Sequence, residues 1–175
     1  MNYRVLIILL IPILILATSC GESAANSAAT TATEVADYQE EKAAILEVLN
    51  EETKAAFNRD YEGWKEHWVH KAYVTKTYMN FADSTMTETL GWEEVNDYVR
   101  TYLEEHPDPV PLPELLDEIE VRLYGTGAWV DYEQVDPVYG LKREARLMEK
   151  EDGQWKIAGM QTIIYGKQGE EEQSQ

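Results

Sequence analysis

The side chains best suited to acid–base or metal chemistry are few. The chain has three histidines, and two of them stand three apart in His67-Trp68-Val69-His70. That spacing can set two imidazoles on one helical face. Zinc needs a third protein ligand, and no His-Glu-x-x-His pattern or cysteine cluster supplies one, so neither a metal nor another cofactor is expected. General acid–base catalysis needs a titratable group held dry, with its pKa moved towards neutrality. His70 and Asp131 are the candidates, by type and by an expected place near a pocket mouth. Tyr78, Tyr98 and Tyr102 can donate to a developing oxyanion. With eleven tyrosines and 33 acidic residues, such groups also meet by chance. A nucleophilic serine is not indicated, because no serine lies in a nucleophile-elbow pattern.

Large rings carry a stronger signal than the titratable groups. Trp68, Tyr78, Tyr98, Tyr102, Trp129 and Tyr132 combine an apolar body with a polar tip, which suits the wall of a half-open cavity as well as the edge of a core. Arg143 shares a strand phase with Ala145 and Leu147, and on that phase it is expected to point inward. A guanidinium placed there needs a carboxylate, from the protein or from a ligand.

Recognisable elements position these residues. Asp37 and Glu40 form a capping box ahead of a first helix whose apolar positions run from Ile45 to Phe57. Asp60 caps a short second helix that places Trp64 and Trp68 on one face. Tyr73–Met79 reads as a strand. Trp92–His106 is the clearest helix, with Val95, Tyr98, Val99, Tyr102 and Leu103 on one stripe. Prolines at 107, 109, 111 and 113 end it and force an extended connector. Strands follow at Leu115–Tyr124, Ala128–Val135, Leu141–Glu149 and Gln154–Tyr165, with Asp152-Gly153 as a hairpin turn. Helices first and a meander afterwards is the α+β order.

The N-terminus reads as an address. Arg4 precedes an apolar run, Val5–Leu16, and Ala17-Thr18-Ser19-Cys20 supplies small residues before the only cysteine. This is the layout of an export signal, 1–19, and it resembles the bacterial lipobox, with Ala17 where Leu is commoner. The resemblance implies a lipoprotein acylated at Cys20, palmitate being one such chain, exported and held at a cell membrane; several chains anchor far more firmly than one. Residues 20–36 read as a flexible tether, 37–167 as the folded domain and 168–175 as a polar tail. A formal charge of −18 disfavours nucleic-acid partners and anionic lipid surfaces.

Over about Asp37 to Tyr165, three runs together resemble the SnoaL-like branch of the nuclear transport factor two-like superfamily. They are Arg59-Asp60-Tyr61-Glu62-Gly63-Trp64, Gly91-Trp92-Glu93-Glu94-Val95 and Asp152-Gly153-Gln154-Trp155-Lys156-Ile157. The resemblance implies a cone-shaped, curved antiparallel sheet wrapped around three N-terminal helices, with a pocket at the wide end. It also implies a possible homodimer through the sheet's outer face. Such domains include isomerases, cyclases, dehydratases and non-catalytic modules, so the fold does not name a function. Related sequences often carry Arg-x-Thr on the penultimate strand and His then Ser on the last. Here Arg143 matches, Ala145 replaces the Thr, and Gln161 and Ile163 replace the His and Ser. The expectation is a pocket edged by Arg143 and Gln161 that binds a small apolar or aromatic ligand, or a protein partner, without catalysis. The alternatives are a proton-transfer enzyme of isomerase, dehydratase or cyclase type, and a structural envelope protein.

Overall fold

The computed structural model describes residues 22–167, with side chains from residue 37. The predicted signal, Cys20 and the polar tail lie outside the described residues. The chain divides at Asp37 into two units, and the second, Tyr38–Gln175, holds the sheet. Helix α1 is Glu22–Phe57. It starts well before the Asp37 capping box, in a stretch read from the sequence as tether; alanines at 24, 25, 28, 29, 32 and 36 favour helix there. Within the second unit it buries Ile45 and Leu49 at helical spacing.

Asp60 caps α2 (Tyr61–Glu66) by accepting from the Gly63 amide at 3.0 Å. Two strands follow, β1 (Thr75–Asn80) and β2 (Thr85–Leu90), then α3 (Trp92–Glu105). Of the stripe read from its sequence, helix α3 buries Val95, Val99 and Leu103 and leaves Tyr98 and Tyr102 exposed, and His106-Pro107 ends it. The remaining strands are β3 (Glu120–Tyr124), β4 (Gly127–Asp136), β5 (Gly140–Glu151) and β6 (Gln154–Gly166).

The strands form one unclosed, curved sheet in the order β2-β1-β6-β5-β4-β3. Every pairing is antiparallel except β1 with β6, which is parallel, so the sheet is mixed where an antiparallel one was expected. The last strand returns beside the first, and the chain between them fixes their common direction. Register shifts in the β5–β6 ladder at Leu141/Lys142 and Leu147/Met148 are the kind of irregularity that bends a strand. Asp152 (φ 50°) and Gly153 (φ 83°) make the predicted hairpin turn, both in the left-handed region.

Candidate functional site

Cross-strand register defines the concave face of the sheet. One row runs Val130, Arg146, Met160, Lys76 and Thr89; the next runs Tyr132, Glu144, Thr162, Tyr78 and Thr87. Alternation along β5 therefore turns Lys142, Glu144, Arg146 and Met148 inward, all of them buried, and turns Arg143 and Leu147 outward. This reverses the phase predicted for Arg143. Its side chain is 48% exposed and makes two bonds to Asp131, from Nε to Oδ1 at 3.0 Å and from Nη2 to Oδ2 at 2.6 Å.

A charged network covers the concave face. Glu144, 2% exposed, accepts from Lys142 Nζ at 2.7 Å, from the Tyr132 hydroxyl at 3.0 Å and from Arg146 Nη2. Lys142 also lies 3.7 Å from Asp136. Glu52, on α1, accepts from the indoles of Trp64 and Trp68 at 2.9 and 3.2 Å and lies 3.9 Å from Arg146. Trp68, predicted as pocket lining, is wholly buried in this arrangement. Burial alone would raise the Glu144 pKa, but Arg146 and Lys142 more than reverse that and bring it down to about 2. Burial likewise works against Arg146 as a cation, and Glu144, Tyr132 and Glu52 overcome it, so the guanidinium is held charged.

Two features leave this network open. Arg146 Nε, Arg146 Nη1 and Thr162 Oγ1 are buried and have no partner among the described residues. Lys76, 5% exposed, lies opposite Met160 and directs Nζ to its sulfur at 3.1 Å. The same Nζ is 5.9, 5.2 and 4.9 Å from the ring centroids of Trp64, Trp68 and Tyr78. Burial lowers its pKa to about 8; Glu52 and Glu144 act on it only at a distance.

The predicted tyrosines gather here. Tyr78 and Tyr132 are partly buried, and burial raises both pKa values. Tyr98 and Tyr102, at the exposed edge of α3, are near enough to influence one another, and Tyr98 feels Tyr78. Tyr139 joins them from the β4–β5 turn. Its pKa is raised to about 12 by burial, by Tyr102 and by Asp136. Nothing in the sequence singled out Tyr139, because a turn residue has no periodicity to place it.

The other predicted residues lie elsewhere. Trp129 and Gln161 are exposed on the outward phase with Arg143. Asp131 belongs to that outer ion pair. His70 is exposed, stacks on Trp92 at 3.9 Å and places Nε2 3.0 Å from the Lys65 carbonyl. His67 Nδ1 lies 2.7 Å from the Gly63 carbonyl. No three metal-ligating side chains converge among the described residues. A separate groove of about 480 Å³, between α1 and the β5–β6 hairpin, includes Glu40, Glu47, Glu51, His67 and Lys156. At its edge Glu41 already accepts from Lys150 and the Trp155 indole.

Helices followed by a bent mixed sheet, with a charged network on its concave side, define a fold class that comparison with known proteins names. Residues 45–162 match the family model described as SnoaL-like domain, and the chain belongs to that family. No curated protein matches the sequence. Solved structures share the fold at low identity. A nuclear transport factor 2-like protein of unknown function from Pseudomonas putida KT2440 is 14% identical, over 71% of this chain and 87% of its own, with a TM-score of 0.56. One from Silicibacter pomeroyi DSS-3 is also 14% identical, over 73% of this chain and 98% of its own, with a TM-score of 0.54. A superfamily member from Salmonella enterica serovar Typhimurium LT2 is 16% identical, over 76% and 96%, with a TM-score of 0.52.

Proposed function

We propose that this SnoaL-like domain binds a small molecule on the concave face of its sheet, and that Cys20 carries the acyl chains that keep the exported protein at a membrane. One observation carries the binding reading. Arg146 and Thr162 hold buried donors without partners inside an otherwise satisfied network. Leaving such groups unpaired costs about 1–3 kcal/mol each, and a ligand with hydrogen-bond acceptors recovers it. Tyr78 and Tyr132, in the same cross-strand row as Thr162 and only partly buried, supply apolar wall near those donors. The fitting ligand is therefore aromatic or apolar in body and oxygen-bearing, more polar than the sequence suggested. Two copies are proposed to pair through the outer face, where Trp129 and Leu147 are cross-strand neighbours and both exposed.

Native mass spectrometry of the lipid-anchored protein, released gently from detergent, tests the binding reading. The wild type should retain one small molecule per domain. Thr162→Val keeps the side-chain shape and removes the donor, so it should fold normally and lose most of that occupancy. Equal, empty masses for both proteins would refute ligand binding.

A further inference from the structure

Lys76 is the group on the concave face that the charged network does not use. Among the described residues no carboxylate lies within ion-pair distance of its Nζ, and its one short polar contact is to a thioether. Three rings surround it. The groups around it are Glu52 on α1, Trp64 on α2, Trp68, Tyr78 on β1 itself, Met160 on β6, and Lys142, Glu144 and Arg146 on β5. Tyr78, on the same strand, holds its ring centroid 4.9 Å from Nζ.

An ion-paired lysine is a poor nucleophile, because a salt bridge holds the proton on nitrogen. A lysine whose ammonium is desolvated against rings loses that proton more easily, which is how amines are activated for attack on carbonyls. From the cross-strand register and its buried, ring-walled setting, we propose that Lys76 condenses reversibly with an aldehyde or ketone ligand to form an imine. The inference rests on the concave face being the ligand site. The neutral amine adds to the carbonyl carbon, the C=O π pair moves to oxygen, and the nitrogen's proton passes to that oxygen to give a carbinolamine. Loss of water then leaves the C=N bond. Amine plus carbonyl gives imine plus water, and no electrons are exchanged with a third partner.

The neighbours suit that step. Arg146 lies two strands from Lys76 in the same cross-strand row, about 10 Å between strand axes. Its unpartnered nitrogens and the Thr162 hydroxyl can receive the oxygen that becomes negative during addition. With burial bringing Lys76 to about 8, far more of it is free amine at neutral pH than of an ordinary surface lysine.

The test uses propanal, a small neutral carbonyl, with cyanoborohydride to reduce any imine, on the full chain in detergent at pH 7. Adducts are mapped by mass spectrometry. Lys76 should be alkylated about tenfold or more faster than the exposed Lys71 and Lys167, and the preference should vanish in urea. Lys76→Arg keeps a cation in place and should fold, yet give no fast adduct. Slow or absent labelling of Lys76 while Lys71 and Lys167 react overturns the imine. If ligand is retained in native spectra while Lys76 stays unlabelled, the binding reading stands and the imine alone falls.

Discussion

Lys76 and Glu144 share one concave face, and opposite forces set their ionisation. Burial disfavours the Lys76 ammonium, so its folded pKa, about 8, lies below the ordinary 10.5. Between those values the unfolded chain binds more protons, so this residue's contribution to stability rises with pH across that window. Lys76→Met should therefore be the more stable protein at pH 7, by up to about 3 kcal/mol less what the rings return through cation–π attraction. Its advantage should shrink as pH climbs from 8 towards 10, read from urea midpoints. Glu144 behaves in the opposite way. Its folded pKa of about 2 lies below the ordinary 4.5, so its stabilisation is complete above 4.5 and is lost as pH falls towards 2. Glu144→Gln should remove that acid dependence and cost about 3–5 kcal/mol, because Arg146 and Lys142 are left without their shared carboxylate. Asp131→Asn breaks an exposed pair instead and should leave the urea midpoint nearly unchanged.

At the scale of elements, β5 depends on a backbone that only glycine provides at its start. Gly140 has φ +82° and a Cβ there would strike the Gly166 carbonyl on β6. Gly153 has a similar φ but open space around it. Gly140→Ala should lower the melting temperature clearly more than Gly153→Ala, whose cost is the conformational one of about 1 kcal/mol. The same strand shows what the sequence made legible. Its period of two was plain, as were the α3 stripe, the Trp64/Trp68 pair and the Asp152-Gly153 turn. The inward side of β5 was not. Ala145 and Leu147 look like a core face and Lys142, Glu144 and Arg146 like a solvent face, and a buried charged network inverts that rule; a shift of one residue reverses every side chain. Strand β2 was missed because Thr85–Leu90, with Thr and Glu prominent and an edge position, has little hydrophobic signal. The candidate site was thus half visible: four of its tyrosines stood out by type, while Lys76, Glu52, Glu144, Arg146 and Thr162 passed for surface residues.

On the scale of the whole molecule, a chain carrying formal charge −18 gains nothing from an anionic membrane surface. No helix among the described residues is long and apolar enough to cross a bilayer. The proposed attachment is through Cys20. Cys20→Ser should move the protein from the membrane pellet to the soluble fraction with its melting temperature unchanged; continued pelleting would remove the lipid anchor from the proposal. Pairing through the outer face has its own check. Trp129→Glu should shift the sedimentation coefficient from dimer to monomer without unfolding the chain. Ligand binding is tested most directly by a crystal structure of the protein purified from its native envelope. It should show non-protein density within hydrogen-bonding distance of Arg146 Nε, Arg146 Nη1 and Thr162 Oγ1, large enough to reach Tyr78. Those three donors capped by other side chains, with the hollow packed shut, would contradict it.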